Sequence, residues 1–269
     1  DIIGNESRDA EIELILTTTK ALNRVGLTDY KVKINDRRIL SDIFAYAGFA
    51  KEDNEKLAII FDKQDKIGID GVKAELEENG FGQTGIDKFI ALFADGSLTL
   101  ESVANVCDAS YVTELQRIID AVTKVSKGAI PVEFCPSLVR GQGYYTGTIF
   151  EVEAAGYSGA VAGGGRYDNL IGKFLNEDIP AVGFSIGFER IVLLLMESGF
   201  TVPMQRPKVA YLIEKGYPAD KLVDVIAKAQ EERQAGKQVL VVRMNKNKKF
   251  QKEKLAAEGY KDIVEFFNN

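Results

Sequence analysis

Histidine is absent from all 269 residues, and that absence excludes more chemistry than any residue present can assert. Without an imidazole there is no Ser-His-Asp or Cys-His nucleophile system, no histidine general base and no histidine-containing zinc site. Cysteine is almost absent as well. Cys107 and Cys135 stand alone, so neither a disulfide framework nor a four-thiolate metal site is expected, and a reducing, cytoplasmic setting suits the chain best. The densest apolar run, Ile191 to Met196, is far too short to span a bilayer, and no basic stretch followed by an apolar one opens the chain. The expectation is a protein that does not enter a membrane. A surplus of positive charge is also missing: the net charge of −6 argues against a broadly basic coat, so any contact with nucleic acid must come from local patches. Finally, the first residue is Asp1 rather than Met, and Asp1-Ile2-Ile3-Gly4 reads as the interior of a strand. This leads us to expect a piece of a longer polypeptide.

What is present is ordinary globular composition, 45% hydrophobic and 28% charged, with room for a sizeable core. Ser7 is the expected N-cap of a helix whose apolar face is Ile12, Ile15, Leu16, Leu22 and Val25 and which Gly26 ends. Tyr30 to Ile34 alternates as a half-buried strand. From Phe44 to Gly128 alternation gives way to helical periodicity. Helices are predicted near Asn54–Asp65, Gly71–Asn79, Ile86–Phe93, Leu100–Cys107 and Tyr111–Ser126, with breaks at glycines including Gly68, Gly85 and Gly96. Thr201 to Pro207, with two prolines, is the linker candidate. Beyond it come strand Val209–Ile213, helix Ala219–Gln234, strand Val239–Val242, helix Lys248–Ala257 and strand Ile263–Phe267, an alternation that implies a small parallel α/β sheet.

The chemistry concentrates between Ser137 and Arg190. Leu138-Val139-Arg140-Gly141-Gln142-Gly143-Tyr144-Tyr145 runs into a strand-like alternation ending at Glu151, which places a fixed cation and two phenols along one concave sheet surface. Such a surface suits a small zwitterion beside a phosphate. Each residue also has a plainer reading. An isolated Arg-Gly reads first as a strand-end ion pair, a reading that the run flanking Arg140 as far as Glu151 disfavours; paired tyrosines on a strand place one ring on each face, and Gly163-Gly164-Gly165 is equally a turn. The glycine clusters match neither Walker nor Rossmann spacing. In Ala181 to Arg190, a strand whose glycines admit a flat ligand leads directly into a helix with Arg190 in its first turn, where Glu189 is equally a dipole partner. The lysines at 246, 248, 249 and 252 read either as a solvated helix start or as a phosphate-binding patch.

These stretches, with Gly163 to Asp168 and Ala181 to Arg190, resemble the histidyl-tRNA synthetases: the first two resemble that family's histidine-site motifs and the third resembles motif 3 of class II synthetases generally. At Gln142-Gly143 many of its members carry Leu-Asp instead. The resemblance implies an α+β fold: an antiparallel class II sheet with flanking helices (residues 1–43 and 129–200), a helical insertion (44–128) associated with the tRNA acceptor end, and an α/β anticodon-binding-like domain (207–269). Motifs 1 and 2 would lie before Asp1. It implies ATP-dependent activation of histidine, with ATP as its magnesium complex, transfer to tRNA(His), and a homodimer in the full-length protein. Arg140 would meet the amino-acid carboxylate and the α-phosphate, Arg190 with Gly187 the ATP, and Asp1, Tyr144, Tyr145, Gly163, Gly164 and Tyr167 the histidine. The alternative is the related histidine-sensing regulatory subunit of ATP phosphoribosyltransferase, which lacks an anticodon-binding domain. A third option is a synthetase-like domain kept only for RNA or protein interaction.

Overall fold

The computed structural model describes residues 1–93, 98–140, 143–175, 177–200 and 206–268. It divides into two units, Asp1–Gly199 and Phe200–Asn269. Gly96, Gly141, Gln142 and residues 201–205 of the linker expected at Thr201 to Pro207 lie outside the described residues.

The first unit is built on a six-stranded sheet made of β1 (Ile2–Ile3), β2 (Tyr30–Asp36), β3 (Val132–Phe134), β4 (Thr148–Ala154), β5 (Ala160–Arg166) and β6 (Ala181–Ile186), in the order β1-β6-β5-β4-β2-β3. All neighbours run antiparallel except β2 and β3. A parallel pair needs a long crossover, and here it is the helical stretch α2 (Arg37–Ala47), α3 (Asn54–Phe61), α4 (Gln64–Glu78), α5 (Gln83–Phe93), α6 (Leu100–Val103) and α7 (Ala109–Val125). α2 is a helix the periodicity did not signal, and the expected boundary at 43/44 falls inside it. The helix expected over Asn54–Asp65 is instead two, α3 and α4, and α4 is kinked at Gly68 (φ 69°). The helices share one apolar core with the sheet, where Phe44, Phe61, Phe89 and Phe93 form a tilted and edge-on aromatic group.

Strand parity makes the sheet two-sided. One face carries Val32, Ile34, Phe150, Val152, Ala162 and Val182, all buried. It lies under α1 (Asp9–Arg24), which packs on β6, and α7, which packs on β2 and β3. Gly164 sits on that face between Phe150 and Phe184 in register. Strands two apart are about 9–10 Å from one another, yet the two phenyl rings lean across the side-chain-free Gly164 and stack at 5.2 Å, 1° from parallel. The other face carries Lys33, Glu151, Gly163, Gly165, Gly183 and Ser185, and it is where the chemistry sits.

Arg166 breaks the apolar pattern of the inner face. It is 2% exposed, and α1 presents the fully buried Glu11 to it. Glu11 Oε1 accepts from Nε and Oε2 from Nη2, both at 2.7 Å. The carbonyls of Asn5 and Ser7 and the Asp168 carboxylate accept the remaining N–H groups. Burial alone would lower the Arg166 pKa, but the Glu11 bond and charge outweigh it and hold the guanidinium above its ordinary value. The N-cap position of α1 is Arg8, one residue beyond the expected Ser7, whose Oγ accepts from the Asp9 N–H at 3.3 Å; the buried residues are Ala10, Glu11, Leu14, Ile15, Thr18, Thr19 and Leu22, with Ile12 and Leu16 partly buried against the core and Val25 exposed.

α8 (Asp168–Leu175) and α9 (Phe188–Glu197) complete this unit. The second unit matches the sequence pattern closely: β7 (Lys208–Ile213), α10 (Ala219–Gln234), β8 (Gln238–Arg243), α11 (Lys248–Ala257) and β9 (Asp262–Phe266) form a parallel sheet in the order β8-β7-β9. Among the described residues no helix is long and apolar enough to cross a membrane.

Removing one partner of a satisfied buried ion pair strands the other charge, so Glu11→Ala should cost about 3–5 kcal/mol. Replacing both, as Glu11→Leu with Arg166→Met, should cost less than the single change. Urea denaturation of the two variants beside the unsubstituted protein measures both; equal or additive losses would show that the pair is not coupled.

Candidate functional site

The outer face of β5 and β6 is bare where its outward-facing positions are Gly163, Gly165 and Gly183. Around it a cleft of about 330 Å³ is lined by Asp1, Tyr144, Tyr145, Gly163, Gly164, Tyr167, Gly183 and Ser185, with Leu170 and Phe184. All six residues expected at a histidine site are therefore in one place. Asp1 precedes β1, whose Ile2 pairs with Val182, so by parity Asp1 falls on the outer face beside Gly183. The Tyr167 hydroxyl donates to Asp1 Oδ1 at 2.5 Å. A Cβ on Gly183 would lie 1.9 Å from that same carboxylate oxygen, so glycine there is what admits the Asp1–Tyr167 pair.

The two adjacent tyrosines are not on a strand, which corrects the expectation of one ring on each face. β4 begins only at Thr148, and Tyr144 lies in a turn that Gly143 permits with φ 81°. The rings share one side, with centroids 4.2 Å apart, and Tyr144 sits edge-on to Tyr167 at 6.4 Å. The turn is tied down by Thr146, whose N–H donates to the Arg166 carbonyl at 2.8 Å. Burial, then the neighbouring Tyr144, raise the pKa of both Tyr145 and Tyr167; for Tyr145 the Arg140 charge opposes the rise. At neutral pH both phenols are protonated donors.

Arg140 lies flat on Gly163. A Cβ there would be 2.2 Å from Nη1, 2.3 Å from Cζ and 2.7 Å from Nη2. Nη1 donates to Glu151 Oε2 at 2.8 Å, so the ion pair that is the plainer reading of Arg140 is present within the site. The loop that delivers Arg140 is pinned from below by the buried Asn35, whose amide donates to the carbonyls of Pro136 and Leu138 at 3.2 and 3.1 Å. Arg140 also lines a smaller cavity of about 60 Å³ with Arg37, Glu55 and Asp62. Burial there raises the Asp62 pKa against the pull of Arg140 and lowers that of Arg37.

Gly187 and Arg190 do not line this cleft. Gly187 stands at the N-terminus of α9 and donates to the Val161 carbonyl at 2.8 Å, and the exposed Arg190 reaches the Ala160 carbonyl. Ala160 is three residues along β5 from Gly163, roughly 10 Å. The two arginines therefore meet the same strand, Arg190 at its first residue and Arg140 at its middle. Sequence reasoning covered Gly183 only as one of the glycines of the Ala181–Arg190 strand, and gave no role to Ser185, Glu151 or the Glu11–Arg166 pair. Gly183 was findable by the argument applied to Gly163; Glu11 was not, because an acidic residue in the first turn of a helix has a sufficient local reason to be there.

The glycines make opposite predictions. At Gly163 an added methyl meets the end of a flexible side chain, so Gly163→Ala should leave the melting temperature nearly unchanged while expelling Arg140 from its seat. At Gly164 it meets the Gly183 carbonyl oxygen at 1.9 Å, which is backbone, so Gly164→Ala should cost about 3 kcal/mol or more through forced separation of β5 and β6. Thermal melts distinguish them; equal losses would show that the two positions are not on opposite faces.

The histidyl-tRNA synthetase family model matches residues 1–191. A histidine–tRNA ligase from Leifsonia xyli subsp. xyli is 37% identical over 275 residues, covering 98% of this chain and 62% of that protein. One from Aeropyrum pernix is 36% identical over 208 residues, covering 74% of this chain and 46% of that one. Among solved structures, the histidyl-tRNA synthetase of a Nostoc species superposes with a TM-score of 0.71 at 24% identity, over 96% of this chain and 63% of its own. A Bacillus halodurans protein described as an ATP phosphoribosyltransferase regulatory subunit/histidyl-tRNA synthetase superposes with a TM-score of 0.74 at 18% identity, over 100% and 67%. These last two show a shared fold. The chain spans less than two thirds of the length of the two ligases it matches. On the family match and the identity to the Leifsonia xyli ligase, the chain belongs to the histidyl-tRNA synthetase family.

Proposed function

We propose that the chain carries the histidine pocket of a histidine–tRNA ligase, which activates histidine with magnesium-bound ATP and transfers it to tRNA(His). The observation that carries this reading is the Asp1–Tyr167 pair at 2.5 Å on the same bare sheet face as Arg140. An imidazole presents one donor and one acceptor. Asp1 accepts, the protonated phenols donate, and a pocket built of such groups rejects amino acids that would leave them unpaired. Arg140 then takes the amino-acid carboxylate at the point where the α-phosphate must approach, and Arg190 takes the ATP phosphates further along β5. Both reactants are anionic, so what the side chains contribute is alignment and fixed positive charge at the reacting phosphorus. In this reading the helical stretch 44–128 serves the acceptor end of tRNA, the second unit the anticodon, and the working protein is a cytoplasmic homodimer.

A second reading, the histidine-sensing regulatory subunit, draws support from the Bacillus halodurans likeness and differs in lacking the chemical step. Pyrophosphate exchange into ATP, dependent on histidine, separates the two when the matched segment of the Leifsonia xyli relative is replaced by this chain. Exchange supports the ligase; histidine binding without exchange supports the sensor.

Two outcomes are expected for binding. Histidine affinity, by calorimetry, should fall with Arg140→Ala by roughly thirty- to a hundredfold, about 2–3 kcal/mol; histidine bound no better than glutamine by the unsubstituted protein would end the pocket reading. RNA binding should be weak and salt-sensitive, because each neutralised phosphate releases counterions. It should be carried by Lys246, Lys248 and Lys249. Lys252 is held at 2.5 Å by Glu265 and should matter least. Charge reversal at the first three should abolish the salt dependence, and reversal at Lys252 alone should barely move it.

A further inference from the structure

Glu151 and Gly163 face each other across β4 and β5 in register, so both lie on the outer face of the sheet. Gly163 supplies a floor without a side chain, and Glu151 supplies a carboxylate beside it. Arg140 uses both, with its fork flat over the Gly163 Cα and one nitrogen on Glu151 Oε2. Among the described residues Glu151 is the only carboxylate within ion-pair distance of Arg140. Both side chains are about three-quarters buried, 26% and 21% exposed, so the bond forms largely out of water. Other acids on this face are already engaged elsewhere: Glu153, two residues on, is held by Lys33 at 2.9 Å and Lys31 at 3.5 Å.

We propose that Glu151 is a positioning residue for the amino-acid carboxylate, acting through Arg140. A free arginine side chain has many rotamers, and a substrate carboxylate binds well only to a fork held in one plane. Glu151 holds Arg140 by one nitrogen and one oxygen, end-on rather than as a two-bond fork. An end-on partner fixes the plane of the guanidinium without consuming the edge on which a bidentate ligand depends. The opposite assignment is that Glu151 occupies the seat of the substrate carboxylate and must be displaced. It predicts the opposite sign: removing the Glu151 charge would tighten histidine binding.

This inference rests on the cleft being a histidine pocket, and the experiment separates the two. Calorimetry compares histidine with histidinol, which keeps the imidazole and amine but has no carboxylate. The unsubstituted protein should prefer histidine, and Glu151→Gln should shrink that preference roughly tenfold. Histidinol affinity and the melting temperature should stay as they were, and Glu151→Asp, which keeps the charge on a shorter arm, should recover part of the preference. An undiminished preference in Glu151→Gln, or tighter histidine binding, overturns the proposal. A second readout needs no ligand: nitrogen-15 spectra of the guanidinium groups should show slow rotation for Arg140 in the unsubstituted protein and averaged signals in Glu151→Gln. Identical spectra overturn the positioning role. Binding of neither compound, with the spectral difference present, removes the histidine pocket and leaves the clamp.

Discussion

The Glu11–Arg166 pair is the constraint on which the first unit depends. A guanidinium with every N–H accepted is a junction, and its acceptors come from three places: α1, the segment before it, and the start of α8. Each junction arm leads to a wall of the cleft. The Asn5 and Ser7 carbonyls fix the segment that begins with Asp1. The Arg166 carbonyl fixes Thr146 and with it the tyrosine turn, and Tyr167 is the next residue along the chain. Two of the cleft's charged and aromatic walls are thus set by a group that never touches the cleft. Burying such a pair stabilises little compared with an apolar pair of similar volume; what it fixes is geometry.

The sheet separates tasks by parity. Even-numbered positions of β5 face the core, where Gly164 makes room for the Phe150–Phe184 stack and Arg166 for its ion pair. The odd-numbered Gly163 and Gly165 face outward and leave a floor. A slip of one residue would exchange these roles. Gly163 and Gly164, adjacent in sequence and identical in type, are therefore held for unrelated reasons, one by the Arg140 guanidinium and the other by the backbone of the next strand.

Much of this was legible in the sequence, and the reasons are local. α10 and α11 have the bounds that periodicity and the glycines after them predict, since nothing tertiary competes there. The six residues expected at a histidine site converge because the stretches that carry them lie just before β1, just before β4, and along β5 into the residue that follows it. What was not legible was non-local or conformational. Glu11 and Arg166 are 155 positions apart, and no pattern within α1 distinguishes an acid that pairs with a buried arginine from one that favours a helix start. The tyrosine pair looks like a strand until Gly143 adopts a positive φ. α2 was hidden because its first residues continue the polar alternation of β2, and Asp36 at the junction, whose side chain accepts from the Arg38 N–H at 2.8 Å, reads as either element.

The parallel pairing of β2 with β3 has a consequence in time. Val32 sits opposite Val132, a hundred residues later, and the segment between them is mainly helical, built on contacts local in sequence. Contacts of such long separation pay their loop entropy early and return it late, which makes them slow. Arg140 leaves β3 by a short loop pinned to Asn35 of β2, so its seat on Gly163 exists only once that closure is complete. On a nascent or refolding chain the helices would be protected from hydrogen exchange first and the arginine's anchoring loop among the last, making the appearance of the binding surface a clock for the end of folding.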